Sequence, residues 1–336
     1  MTDSAARTLR WGVIGLGRIV RTTIAPAMLA EPECELVAAV SRDQGRADAF
    51  AKEFGVGFAS TSYDEMLANP EVDAVYVATP NAQHVDQVIA AAEAGKHVWC
   101  DKPMALTVAD ARREIEACEK AGVRLGINFH NRHLPWVRDV RAMLADGAIG
   151  DVHTIQVEAS AGVRPHEGWR NDPELAGIGT TFNVGVHVYD FLSYLLDSEP
   201  IEVVAMWEDD GFAVEIQSLA LIRFENGVTA YVNISQRTPH PQNDISVYGS
   251  AGRIVGRSLT RSREDGELTV TAADGSESTT PYPAPGAHRL SLRAYTRAVL
   301  ADETPNASGV DGLRSMRLCE AMARSVAERR VVEVER

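Results

Sequence analysis

Apolar residues in the first third of the chain fall in short blocks, and stretches of helical period lie between the blocks. Leu9 to Ile14, Glu35 to Val40, Asp73 to Ala78, His97 to Cys100 and Arg124 to Asn128 read as strands, several of them apolar on both faces, as in a parallel sheet covered by helices. The intervening segments carry helix signals. A helical pattern runs from Gly17 through Ile19 and Ile24, and Asp43 is placed to cap the next helix. Ser62-Tyr63-Asp64-Glu65 and Thr107 to Asp110 have the form of capping boxes. The helix from about Gln83 to Ala94 closes at Gly95, and the one ending near Ala121 closes at Gly122. Strand and helix alternating at this spacing predict an α/β Rossmann domain, a doubly wound parallel sheet, over residues 1–128.

The pattern then changes. Val152 to Ala161, Ile201 to Trp207, Glu215 to Phe224, Val228 to Ser235, Ile245 to Tyr248, Arg253 to Val255 and Leu268 to Thr271 read as strands, several with period-two alternation. Glu225-Asn226-Gly227 is a turn signal between two of them. Ser262 to Pro285 reads as hairpin and loop, and two helices follow, about Arg289 to Ala301 and Val310 to Glu328. Strands in succession predict an α+β domain with a large, mainly antiparallel sheet over residues 129–336, one face packed on helices. The other face is left open for a partner subunit.

Composition narrows the function classes. The chain has 336 residues and a net charge of -14. A nucleic acid or an anionic membrane surface demands a basic face, so neither is an expected partner. Four scattered cysteines without a C-x-x-C pair, a polar start from Met1 to Thr8, and the lack of an apolar run near the ~20 residues of a bilayer span give the expectation of a cytoplasmic protein. His130, His133, His153 and His166 match no zinc spacing, so no metal is expected.

Ligands bind doubly wound sheets at the carboxyl ends of the strands. Gly15, Ser41, Thr79 and Asp101 all fall on that edge. Gly15-Leu16-Gly17-Arg18-Ile19 is a G-x-G turn into a helix: Gly15 permits the turn, Gly17 lets backbone approach a pyrophosphate, and the helix N–H groups face the phosphates. Val20 stands where the full fingerprint has its third glycine. The second strand ends in Ser41-Arg42, with Arg46 one turn on, which favours the 2′-phosphate of NADP(H) over NAD(H), the latter remaining possible. Thr79-Pro80-Asn81 ends another strand. Lys102 follows a strand directly. A partly desolvated lysine beside a positive nicotinamide ring has its ammonium form disfavoured, so it can exchange a proton with a substrate hydroxyl near neutral pH.

The Gly15/Gly17 turn, Ala78-Thr79-Pro80-Asn81 through His84, and Ala94 to Pro103 together resemble the glucose–fructose oxidoreductase, inositol dehydrogenase and rhizopine-catabolism (Gfo/Idh/MocA) family. The family's Glu-Lys-Pro reads Asp101-Lys102-Pro103 here. The resemblance implies a catalytic Lys102, a cis bond before Pro103, and Asp101 and His84 at the cofactor edge. It extends to Gly177–Asp190, where the family pattern is glycine-rich and then Asp-x-Gly-x-His. His187 matches the histidine, and Asn183 replaces the aspartate. Four apart on a helix, the two share a face, and Gly185 between them leaves room for a ligand. An amide does not exchange protons in ordinary catalysis, so Asn183 orients a hydroxyl while Lys102 and His187 move protons. His130 and Arg132, just past the domain junction, and Trp169 are candidate substrate contacts. Trp169 and Arg170 also match positions that line the cofactor cleft.

The implied activity is NAD(P)-dependent hydride transfer to or from a hydroxyl or carbonyl carbon of a small carbohydrate. The stretches Gly126 to Gly150 and Trp169 to His187 look most like sugar reductases and dehydrogenases of the 1,5-anhydrofructose reductase and xylose dehydrogenase kind. An inositol or modified-sugar dehydrogenase using NAD, and a non-catalytic dinucleotide-binding regulator, are the alternatives. Similar proteins are homodimers or homotetramers, which implies assembly through the second sheet.

Overall fold

A computed structural model describes residues 7–163, 168–260, 264–284 and 286–336. Met1–Ala6, on which the reading of the start of the chain rests, and His166 lie outside these. The chain divides into two compact units. One comprises Met1–Asn128 with His288–Leu313, the other Phe129–Ala287 with Arg314–Arg336. A single cut at residue 128 therefore leaves His288–Leu313 with the wrong partner, because that segment completes the core of the first unit.

In the first unit the strands are β1 (Leu9–Ile14), β2 (Cys34–Val40), β3 (Phe58–Ser60), β4 (Ala74–Val77), β5 (His97–Cys100) and β6 (Leu125–Ile127). The helices are α1 (Ala25–Ala30), α2 (Gln44–Phe54), α3 (Tyr63–Ala68), α4 (His84–Glu93) and α5 (Val108–Ala121). The sheet order is β3-β2-β1-β4-β5-β6, parallel throughout. The order reverses between β1 and β4, the switch point at which such sheets bind ligands. The predicted helix starts hold locally. Asp43, Ser62 and Thr107 each accept the backbone N–H three residues on, from Arg46, Glu65 and Asp110. Only half of the Ser62 box forms, since the Glu65 carboxylate instead accepts the Ser60 hydroxyl at 2.7 Å.

The second unit contains β7 (Val152–Ser160), α6 (Pro135–Ala145), α7 (Pro173–Ala176), α8 (Val186–Leu196), β8 (Pro200–Glu208), β9 (Gln217–Phe224), β10 (Thr229–Ser235), β11 (Ile245–Gly249), β12 (Gly252–Arg257), β13 (Gly266–Ala272), β14 (Glu277–Tyr282) and β15 (Val332–Glu333). Its nine strands run β14-β13-β12-β11-β7-β10-β9-β8-β15, antiparallel except for the β7–β10 pair. Strands β13 and β14 form the hairpin expected within Ser262 to Pro285, paired antiparallel from Gly266–Tyr282 to Thr271–Glu277; within that stretch Ser262, Arg263 and Pro285 lie outside the described residues. Along β9 the alternation is sharp: Ser218, Ala220, Ile222 and Phe224 are buried, while Leu221 and Arg223 are exposed. Helix α8 is almost wholly buried, with Phe191 edge-on to Trp136 of α6.

Two further helices close the chain, α9 (Ala287–Leu300) and α10 (Gly309–Glu328), the latter beginning in the first unit and continuing in the second. From α9, Leu292, Tyr295 and Val299 enter the first unit's core beside Trp11 and Trp99. Buried Glu31 receives Arg289 and Arg293, the latter through bonds of 2.9 and 2.8 Å. No helix among the described residues is long and apolar enough to cross a membrane.

Candidate functional site

At the switch point Gly15 has φ +91°, and a Cβ on it would stand 2.5 Å from the Ala78 carbonyl oxygen at the end of β4. Only glycine satisfies both demands. The Gly17 N–H closes the turn onto the Gly15 carbonyl at 2.8 Å, and the Gly17 carbonyl accepts the Arg21 N–H at 3.1 Å, the first helical bond. Hence the N–H groups of Arg18 and Ile19 lie at a helix start, where the first amides have no partner within the helix. A Cβ on Gly17 would meet no described atom within 4 Å. The open space lies where a pyrophosphate belongs. Beyond it Val20–Ile24 forms a π turn before Pro26, with Val20 fully buried. A side chain in place of the fingerprint's third glycine is thus packed into the core under a widened turn.

At the end of β2, Ser41 is buried and its hydroxyl accepts the Asp43 N–H at 3.4 Å. With Asp43 engaged as the cap of α2, Arg42 and Arg46 remain as the exposed charges nearest this strand end. At the end of β4 the Thr79 hydroxyl donates to Gln87 at 2.6 Å, and Pro80 leads into a short turn with Asn81 buried. His84 stands at this edge, between the loops that follow β4 and β5. Its ring is 1% exposed, with Nε2 at 3.0 Å from the Thr79 carbonyl and Nδ1 at 2.9 Å from the Pro103 carbonyl. Both nitrogens face backbone carbonyls, so His84 sits between two loops of the edge; in its neutral form the ring donates to one of the two. Burial lowers its pKa, against the opposing pull of Asp101.

Lys102 follows β5 and is half-buried. Its N–H donates to its neighbour's Asp101 Oδ1 at 2.9 Å, and the Lys102–Pro103 bond is cis. Behind Asp101 stands the Tyr76 hydroxyl, whose pKa is pushed well up by burial and by the Asp101 carboxylate. Asn128 Nδ2 donates to that hydroxyl at 3.1 Å. Sequence reasoning missed Tyr76, which reads as one more apolar position of a buried strand.

The second unit gathers another group. The His130 ring lies 4.2 Å from the His187 ring, centroid to centroid, and Phe129 lies 6.3 Å from it. Arg132 and Asp190 form a buried ion pair, with Arg132 Nε donating to Asp190 Oδ2 at 3.0 Å and the Tyr194 ring 4.8 Å from the guanidinium. Arg132 therefore braces α8 three residues beyond His187 rather than presenting its guanidinium as a substrate contact. Neighbouring His133 has its pKa lowered to about 4, by burial and then by Arg132. Trp169 and Arg170 stack on each other at 4.4 Å in a 3₁₀ turn, Gly168–Asn171.

Asn183 lies in a second π turn, Thr181–Gly185, which runs into α8 and His187. The expected space at Gly185 is taken by protein, for a Cβ there would come within 2.9 Å of the Tyr189 ring. Gly177 adopts φ +74°. Gly179 is held by Glu215, a residue with no local sequence signal. No group of three or more His, Cys, Asp or Glu among the described residues is placed to hold a metal.

The helix start at the switch point, with open space over Gly17, is the place in a doubly wound sheet where a dinucleotide fits, which makes the first unit a dinucleotide-binding domain. The chain belongs to the Gfo/Idh/MocA family: residues 9–129 match its oxidoreductase domain with NAD-binding Rossmann fold, and residues 137–255 match its C-terminal domain. It is 34% identical over 330 residues to 1,5-anhydro-D-fructose reductase of Ensifer adhaerens, covering 97% of this chain and 98% of that one. It is 31% identical to D-xylose 1-dehydrogenase (NADP(+)) 2 of Haloferax volcanii, covering 97% and 100%. Among solved structures it superposes on aldose-aldose oxidoreductase from Caulobacter crescentus, complexed with glycerol, with TM-score 0.89, 29% identity and coverage of 97% and 100%. The protein is an NAD(P)-dependent oxidoreductase of sugars or sugar derivatives, acting on hydroxyl or carbonyl carbons.

Proposed function

We propose that the protein is an NADP(H)-preferring reductase or dehydrogenase of a small aldose or anhydrosugar, with Lys102 and His187 moving the hydroxyl proton. The observation that carries this reading is the placement of Lys102 directly after β5, on the same sheet edge as the open space over Gly17. A bound nicotinamide supplies or accepts the hydride. Lys102 Nζ removes the substrate hydroxyl proton in oxidation and returns it in reduction, with His187 as the second proton-handling group. Asn183 holds a neighbouring hydroxyl as donor or acceptor without changing protonation state. His130, beside His187, and the flat face of Trp169 are the further sugar contacts, and Arg170, stacked on Trp169, is assigned with it to the cofactor.

The NADP(H) preference rests on Arg42 and Arg46, exposed at the end of β2 while Asp43 is occupied as a cap. The four cysteines are free thiols, three of them buried, which suits a reducing cytoplasm. The outer sheet face bears exposed Met206 and Leu221, a patch fitting a second copy of the chain in a homodimer or homotetramer.

The test is a turnover screen on NADPH with 1,5-anhydro-D-fructose and other ketosugars, and on NADP and NAD with aldoses, anhydrosugars and inositols. Lys102→Ala should lower kcat by about 10²–10⁴-fold with dinucleotide affinity kept within a few-fold. Turnover that survives this substitution refutes the assignment.

A further inference from the structure

The helix that carries Asn183 and His187 starts without a cap of its own. Its first helical bond runs from the Asn183 N–H to the Gly179 carbonyl at 3.0 Å, which makes Gly179 the N-cap position. Ser, Thr, Asp or Asn normally stands there and accepts the orphan amides, and glycine has no side chain to do so. Glu215, 36 residues further along and just ahead of β9, does it instead. Its Oε1 accepts the Thr181 N–H at 2.6 Å, and its Oε2 accepts the Gly179 N–H. Its backbone carbonyl accepts the Thr180 N–H at 2.9 Å. Three consecutive amides are thus bound to one residue that is 6% exposed.

The fit leaves no slack. A Cβ on Gly179 would stand 2.0 Å from the Glu215 carbonyl oxygen. This glycine is therefore required by the approach of Glu215, not by a ligand. A carboxylate at this end of a helix is also favoured by the helix dipole. Burial raises the Glu215 pKa, and the Thr181 and Gly179 amides oppose that rise. The π turn Thr181–Gly185 packs on strands β7, β9 and β10, so the amide anchors define both where the turn begins and how α8 leaves the sheet.

We infer that Glu215 is a positioning residue for the reaction: by capping this helix from a distant segment it sets the placement of Asn183 and His187 toward the sugar. This rests on the function proposed above. A displacement of about 1 Å at a reacting group can cost ~10²-fold in rate, so the effect falls on kcat rather than on dinucleotide binding, which belongs to the other unit.

The experiment uses the full chain with NADPH and 1,5-anhydro-D-fructose and with NADP and D-xylose. It compares Glu215→Gln with Ile222→Val, a buried change in β9 that lowers stability without touching the cap. In the Gln variant an NH₂ group replaces one acceptor and must face an N–H. The expected result is at least a ten-fold loss of kcat with the dinucleotide KM within two-fold, whereas Ile222→Val keeps its kcat despite a lowered Tm. A Glu215→Gln enzyme with kcat within two-fold of wild type, or an Ile222→Val enzyme losing kcat equally, overturns the inference. His187→Ala separates the two readings: full turnover in that variant refutes the role of His187 itself, whatever Glu215→Gln does. If neither sugar is turned over, the His187 imidazole resonances, assigned by their loss in His187→Ala, must shift in Glu215→Gln; unshifted resonances overturn the inference. Should Glu215→Gln not fold, Glu215→Asp, one methylene short of both amides, is judged by the same criteria.

Discussion

Replacing Asp190 with Ala tests the reading of Arg132 as a brace. The pair is almost fully enclosed, with side-chain exposures of 3% and 0%. Removing the carboxylate leaves a guanidinium buried against Tyr194 without its counter-charge. Breaking a buried pair in this one-sided way costs about 3–5 kcal/mol. The second unit has about 180 residues, which at ~2.1 cal/mol/K per residue gives an unfolding entropy near 0.38 kcal/mol/K. The expected fall in the melting temperature of that unit is therefore about 8–13 °C, read by calorimetry. Arg132→Met combined with Asp190→Leu removes both charges and should recover most of the loss, because a buried pair exchanged for apolar residues is often neutral or stabilising. A fall under about 2 °C for Asp190→Ala, or a double variant no better than the single one, would show that the pair does not carry the local stability assigned to it.

Two glycines of one turn should behave oppositely. Gly17→Ala adds a methyl to open space and should fold with an unchanged Tm, yet weaken NADPH binding at least ten-fold by fluorescence titration. Gly15→Ala meets the Ala78 carbonyl at φ +91° and should cost about 2 kcal/mol or more in stability. If Gly17→Ala binds NADPH as tightly as wild type, the phosphates do not lie over that residue. His133 supplies a pH dependence. Its folded pKa, about 4, lies below the ~6.5 of an unfolded histidine, so the unfolded chain binds the extra proton on acidification. Stability is then full above pH ~6.5 and falls by about 2 kcal/mol at pH 5. Denaturant titrations at pH 7.5 and 5 should show that fall, and His133→Gln should flatten it; an equally steep fall in His133→Gln assigns the slope to other groups.

Local signals carried well from sequence to structure. Asp43, Ser62 and Thr107 cap helices because a cap involves an amide only three residues away, and five of the six strands of the first unit fall on the short apolar blocks; β3, three residues long, had no such block and was missed. The position of Lys102 just past β5 was legible because the strand end before it is an apolar block of its own. What stayed hidden was set by contacts distant in sequence. Glu215 reaches back 36 residues, Tyr189 occupies the space over Gly185, and His84 faces the carbonyls of positions 79 and 103 with its two ring nitrogens. Each of these residues reads as ordinary for its element, and only the folded chain shows what it faces.

The return of α9 to the first unit ties folding to the order of synthesis. Trp11, Trp99 and Met28 are made early, but the Leu292, Tyr295 and Val299 side chains that share their core come more than 160 residues after β6. At ~5–20 residues per second, a ribosome needs roughly 10–30 s to cover that interval. Throughout it the nascent dinucleotide-binding sheet holds an uncovered aromatic face and a Glu31 carboxylate without its two arginines. The first half of the enzyme to be made is the half that must wait, for an interval set by translation speed.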